Sequence, residues 1–367
     1  MKSIFQLHQI LKLLNQHQLQ SNPKLLLIPH QSQVETIPAP VVVAKNTRSA
    51  VIPNMTKKIK VILICQENEF DKLHIKKINK YAEVIWVNNE KTDLLALPNL
   101  SDNDQKILAI SPVPLDWQIP SYVYQNLNNV KAICLATTGF DFVDLTKTND
   151  LNITVTNVPY YSTNAVAEYA LFMLFSLLKK VPYQIKSNFK SEFTDYNIMD
   201  QLNNKVVGII GLGHIGEKIA NLLNNLDLKI IYWSKNSRNS KYKYVTLVKL
   251  LKTSDIVFPT FSLNDQSQKI LTKKNLSLMK KSAYLVNIIG ENAIDTQFLI
   301  NQTENKKLQG LAFESETIKM KDYKENVFIT APMAWYTRQS LANNIDIWTD
   351  TIISCIKHKP INIVSQI

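Results

Sequence analysis

From residue 58 onward the chain alternates short apolar runs, rich in valine and isoleucine, with polar stretches whose apolar positions recur at helical spacing. The runs at residues 61–65, 84–87, 107–110 and 132–136 predict strands, and residues 70–81 predict a helix after the first of them. Residues 162–179 predict a long apolar helix. A second alternating series follows, with strands at 206–210, 229–233, 256–259, 284–287, 310–313 and 327–330. Strands that alternate with helices call for parallel sheets, so the fold class is α/β. The apolar stretch 169–178 is about half the length a membrane span needs and is expected to be a buried helix, with no membrane partner.

Four of the seven glycines, Gly208, Gly211, Gly213 and Gly216, fall within nine residues of the strand at 206–210 and the start of the next helical pattern. The last six residues of that run read G-x-G-x-x-G between a strand and a helix, the context a dinucleotide fingerprint requires. Gly211 permits the tight turn, Gly213 lets the backbone approach a pyrophosphate, and Gly216 lets the helix pack on its strand. His214 and Ile215 complete the loop, whose free N–H groups and positive helix end suit phosphate. A plain strand-to-helix turn would not need three glycines at this spacing.

The next strand ends in Ser234, Lys235, Asn236, Ser237 and Arg238, without the acidic residue that would hold the ribose hydroxyls of NAD. A hydroxyl and two cations fit a 2′-phosphate better, with Arg238 able to bind it bidentately, so NADP is expected ahead of NAD. An ordinary polar loop is the plainer reading.

Residues 1–57 differ from the rest. Ile4, Leu7, Leu11 and Leu14 fall on one helical face, and a proline-punctuated stretch with Glu35 as its sole acid follows. A transit peptide, an oligomerisation arm and a docking segment all fit. Net charge is +12, carried almost wholly by lysine, since only Arg48, Arg238 and Arg338 are arginines. No basic run is interleaved with aromatics, so no nucleic acid partner is expected. Cys65, Cys134 and Cys355 lie far apart in apolar stretches, without disulfide or zinc spacing. They are expected to be buried thiols in a reducing, cytoplasmic setting, and no metal site is expected.

Several stretches together resemble the D-isomer-specific 2-hydroxyacid dehydrogenase family, which includes glycerate dehydrogenases, hydroxypyruvate and glyoxylate reductases, and the C-terminal-binding-protein corepressors. They are the run from Ala136 through Thr138, Gly139 and Phe140 to Asp144, then Thr156-Asn157-Val158-Pro159, Ala165-Val166-Ala167-Glu168, the glycine loop, and Leu285-Val286-Asn287 with Asp295. Ala334-Trp335-Tyr336-Thr337 is similar to the corepressor branch. The resemblance spans residues 58 to about 355. It implies two doubly wound domains, Rossmann-like and flavodoxin-like, the substrate domain being discontinuous: residues 58–160 and 333–367 in one, 161–332 in the other. It implies a homodimer formed through the cofactor domain, and a small 2-oxo or 2-hydroxy acid held at the backbone of Thr138 and Gly139. It also places Phe261, Ile288 and Ala312 along the cofactor.

The chemistry implied is hydride transfer, which needs a cation to grip the acid, an acid–base group and a carboxylate to orient it. The family's arginine position is Gly290, its histidine position is Met333, and the aspartate near the nicotinamide is Ala312. The catalytic glutamate has a counterpart in Glu316 if one residue is deleted nearby; a solvated loop acid is the other reading of it. Tyr336, Lys319 and Lys321 are the substitutes within reach along the chain. The sequence therefore leaves open an impaired member of the family, an active reductase with substitute groups, a nucleotide-sensing interaction module, and a decaying copy.

Overall fold

A computed structural model describes residues 58–364, apart from residues 98, 192, 237, 263–266, 268, 269, 291, 292, 321 and 322. The amphipathic pattern near the start, the whole of residues 1–57, and Lys321 lie outside the described residues.

Two parallel sheets organise the chain. The first holds β1 (Lys60–Ile64), β2 (Glu83–Val87), β3 (Lys106–Ile110), β4 (Val130–Leu135) and β5 (Thr154–Thr156), in the order β2-β1-β3-β4-β5. This is a doubly wound order with its switch point between β1 and β3. The inner strands are buried along nearly their whole length, as parallel strands covered on both faces must be. Helix α1 (Lys72–Asn79) starts two residues later than the apolar pattern suggests. The Asp71 carboxylate accepts the amides of Leu73 and His74 at 2.8 and 2.9 Å and so fixes the cap there. Helix α2 (Leu145–Asp150) leads into β5, a three-residue edge strand with one apolar residue and therefore no pattern to announce it.

Helices α3 (Thr163–Leu178) and α4 (Val181–Lys186) open the second layer system. Its sheet holds β6 (Val206–Ile210), β7 (Lys229–Trp233), β8 (Lys243–Tyr244), β9 (Ile256–Pro259), β10 (Tyr284–Asn287), β11 (Gly310–Glu314) and β12 (Val327–Thr330). The order is β12-β11-β10-β9-β6-β7-β8, a dinucleotide-type sheet extended by one strand, with its switch point between β6 and β9. Helix α5 (His214–Leu223) crosses from β6 to β7 and packs on α3. Helices α6 (Leu247–Thr253), α7 (Lys273–Leu276) and α8 (Thr296–Glu304) connect the remaining strands. Beneath α3 and α5 the core joins Met173, Leu177, Val207, Ile219, Phe258 and Val286.

The last helix, α9 (Arg338–Ile356), leaves this sheet and packs on α1, β3 and β4 of the first. Trp348 is buried there and donates its indole N–H to the Cys134 carbonyl at 2.9 Å. Beyond it, Val364 donates its amide to the Val155 carbonyl, and Ile363 bridges Thr156 antiparallel, closing the edge of β5. Among the described residues, β1 and α9 thus lie in the same layer system, with the second sheet between them in sequence. All three cysteines are free and buried, and the return of α9 brings the Cys134 and Cys355 sulfurs to 3.6 Å, a proximity their spacing does not suggest. No described helix is long and apolar enough to cross a membrane.

Candidate functional site

The glycine loop sits where β6 ends, beside β9, at the switch point of the second sheet. Gly211 has φ +94°, and a Cβ there would lie 2.8 Å from the backbone of Phe261. Its amide donates to the Trp233 carbonyl at 2.7 Å, which locks the turn. Thr260 donates its amide to the Ile210 carbonyl at 2.8 Å and its hydroxyl to the Gly211 carbonyl. A Cβ on Gly216 would strike both partners of that last bond, so its absence lets α5 seat against the sheet. Gly213 is the N-cap of α5, and a Cβ on it would meet nothing within 4 Å. Gly213 and His214 are exposed and Ile215 is half-buried, and the first-turn amides of a helix have no partner within it. That is a cradle with room for an anion at a helix N-terminus, and its donors fit a pyrophosphate.

One strand over, Ser234 is buried where β7 ends. Its carbonyl accepts from an Arg238 guanidinium nitrogen at 2.9 Å, and the guanidinium lies 4.2 Å from the centre of the Tyr244 ring. Lys235 is exposed beside them. The three residues form one positive corner, and no acid occurs among residues 234–238. Ile288 is half-buried against the core under α3, and Phe261 covers the glycine turn. Ala312 is fully buried on β11, in register with Val286 and Phe328, and brings no polar group to the crevice.

The substrate-side loop follows β4. The Thr138 hydroxyl donates to the Val158 carbonyl at 2.7 Å, and the Asn157 side chain donates to the Thr138 carbonyl at 2.8 Å. These bonds tie the loop to the connection between the sheets and leave Gly139 with open space on its Cβ side. Gly139 also lines a hollow of about 310 Å³ with Trp117, Asp141 and Phe142.

The acid–base set is where sequence and structure part. Gly290 has φ +101°, and its carbonyl accepts from the buried Asn287 side chain at 2.8 Å. The turn is therefore held in a conformation that residues with side chains rarely adopt. Met333 is half-exposed, and its amide donates to Glu314 Oε1 at 2.7 Å; the Ala334 amide donates to the same oxygen at 2.8 Å. Glu316, the carboxylate suggested by the family pattern, is exposed, and its carbonyl accepts from Lys319 Nζ at 2.9 Å. The carboxylate that meets the Met333 segment is Glu314, one residue beyond the apolar run of β11 and so invisible to the pattern. Burial pushes the Glu314 carboxyl above its ordinary value, partly countered by the two amides it accepts. Tyr336 is engaged edge-on with Trp335, ring centres 5.2 Å apart. Among the described residues no group of three His, Cys, Asp or Glu side chains could hold a metal.

A parallel sheet with a glycine-rich turn at its switch point, followed by a helix that returns to a smaller parallel sheet, is a dinucleotide-type α/β arrangement. Residues 171–334 match the family model "D-isomer specific 2-hydroxyacid dehydrogenase, NAD binding domain". A D-lactate dehydrogenase of Curvularia clavata is 30% identical over 249 residues, 60% of this chain and 72% of that protein. A hydroxypyruvate reductase of Blautia hydrogenotrophica is 26% identical over 290 residues, 73% of this chain and 90% of that protein. Among solved structures, an acyclic imino acid reductase in complex with NADPH and D-Arg superposes with a TM-score of 0.72 at 27% identity, covering 84% of this chain and all of that one. The chain belongs to the D-isomer-specific 2-hydroxyacid dehydrogenase family.

Proposed function

We propose that this protein binds a nicotinamide dinucleotide, NADP(H) ahead of NAD(H), and that its hydride-transfer chemistry is impaired. The observation that carries the reading is the contrast between the glycine turn at Gly211, Gly213 and Gly216 and the residues at the gripping, acid–base and nicotinamide-side positions, Gly290, Met333 and Ala312. The loop amides from Gly213 to Gly216 would hold the pyrophosphate, and Ser234, Lys235 and Arg238 would hold a 2′-phosphate. The bound nicotinamide would supply the hydride. The backbone of Thr138 and Gly139 would receive the carboxylate of a small 2-oxo or 2-hydroxy acid, with no guanidinium or imidazole from the family positions to polarise its carbonyl.

Losing a positioned acid–base group costs about 10²–10⁴ in rate, and losing a preorganised charge clamp about 10²–10³, though the two do not simply multiply. The relatives carry names for reactions on small 2-oxo and 2-hydroxy acids, which supports that substrate class. The exposed Phe172, Phe175, Ile185 and Phe189 on and beside α3 and α4 support a homodimer through the cofactor layer. Three buried cysteines held as free thiols support a cytoplasmic setting. The test is a calorimetric titration with NADPH and NADH, followed by assay of hydroxypyruvate and glyoxylate reduction on the same preparation. Binding of neither dinucleotide, or turnover at ordinary enzyme rates, defeats the reading.

A further inference from the structure

The connection from β5 to α3 passes the mouth of the glycine loop, and one of its residues reaches across. Tyr160 has φ +62°, a backbone region in which a residue with a side chain is held only by its surroundings. The hold is visible: its carbonyl accepts from both the amide and the hydroxyl of Thr163, at 3.2 and 3.0 Å, closing a turn at the start of α3. So fixed, the backbone directs the phenol ring onto the imidazole of His214, with ring centres 3.6 Å apart and planes inclined by 34°. His214 is the first residue of α5, directly after Gly213, and both it and Tyr160 remain exposed. The pair therefore stands at the rim of the phosphate cradle and is not part of either core.

We propose that Tyr160 is a positioning residue for the dinucleotide: it holds the His214 imidazole at the rim so that a ring N–H meets the pyrophosphate, and it ties phosphate binding to the setting of the β5–α3 connection. The inference rests on the reading that the cradle takes a dinucleotide. An exposed histidine at the first position of a helix has several rotamers open to it. Covering one face of the ring removes most of them before the ligand arrives, so less freedom is lost on binding. The contact is between ring faces and does not use the phenol hydroxyl. It acts on the pyrophosphate common to both dinucleotides, so its effect is the same for NADPH and NADH, unlike that of the Arg238 corner.

The experiment is calorimetric titration of NADPH and NADH into the full chain and into Tyr160→Phe, Tyr160→Ala and His214→Phe. It is accompanied by proton NMR of the His214 ring without nucleotide. Tyr160→Phe is expected to bind within twofold of wild type. Tyr160→Ala is expected to weaken both dinucleotides by the same factor, about 3- to 10-fold. His214→Phe, which keeps the stack but has no N–H, is expected to weaken them at least as much. The His214 ring protons are expected to be shifted upfield in wild type and Tyr160→Phe, and released in Tyr160→Ala. Wild-type binding with unchanged or tighter binding by Tyr160→Ala overturns this proposal alone, as does the absence of the ring shift in wild type. Wild-type protein that takes up neither dinucleotide overturns the dinucleotide reading, and this proposal with it.

Discussion

An added Cβ at Gly216 would lie 2.6 Å from Thr260 Oγ1, closer still to the Gly211 carbonyl, and 3.1 Å from Ile209 Cγ2. The first two atoms are partners in a buried hydrogen bond. Gly216→Ala must push α5 off the sheet or break that bond. Overpacking costs about 1–3 kcal/mol and the lost bond about 1 kcal/mol more, so about 2–4 kcal/mol of stability is expected to go. Gly213 is the counterpart. A Cβ there meets nothing within 4 Å, and φ −89° with ψ −166° is open to any residue. Gly213→Ala is expected to change stability by less than about 0.5 kcal/mol. Its methyl nevertheless enters the space through which a pyrophosphate would approach. The same overpacking range, now charged to the ligand, weakens dinucleotide binding roughly 5- to 150-fold. Urea denaturation reads the first effect and calorimetric titration the second. A Gly213→Ala protein as stable as wild type that binds dinucleotide equally well would refute the placement of phosphate against this glycine.

Arg238→Ala removes the guanidinium at the end of β7. NADPH affinity is expected to fall about tenfold, for the loss of a charge-assisted contact, while NADH affinity stays within twofold; equal losses for both would contradict a 2′-phosphate site. Glu314 titrates with its folded-state value raised, so the stability it lends is complete below the ordinary carboxylate range and is lost as pH rises through the folded value. Glu314→Gln keeps an oxygen for both amides and has no such loss, so its stability relative to wild type is expected to climb between pH 4 and pH 7 in urea melts. A difference independent of pH would contradict this. Restoring the family side chains together, Gly290→Arg with Met333→His, is expected to raise turnover less than about tenfold. An arginine at φ +101° is strained by about 1–2 kcal/mol, in a turn that the Asn287 side chain holds through the Gly290 carbonyl. A gain of 10² or more would show that side-chain identity alone was lost.

The strands of both sheets were legible because buried parallel strands are continuous apolar runs, and β6, β7, β9, β10 and β12 occupy the residues those runs mark. The cradle was legible because three glycines with fixed spacing have one economical explanation. What escaped was short or non-local. β5 and the two-residue β8 carry too few apolar residues to register. Lys106 reads as a polar position, yet it is wholly buried, its ammonium met by the carbonyls of Leu100, Asp102 and Asn128 and by the Asp102 carboxylate. Glu314 was hidden because only the fold brings the end of β11 against the Met333 amide. The positive φ of Gly290 was hidden because a glycine in sequence does not declare which way its backbone turns. The Tyr160–His214 contact joins two segments with no shared local pattern, so nothing short of the fold could expose it.

The central claim, a retained phosphate cradle without the groups that move a proton and grip an acid, is tested most directly by turnover per bound dinucleotide. The assay is reduction of hydroxypyruvate and glyoxylate, with occupancy measured on the same sample. Dehydrogenases of ordinary competence work at about 1–10³ s⁻¹. Saturable NADPH binding with turnover below about 0.1 s⁻¹ is the expected result, in line with the loss of at least one acid–base group. Saturable binding with turnover above about 1 s⁻¹ would contradict the account.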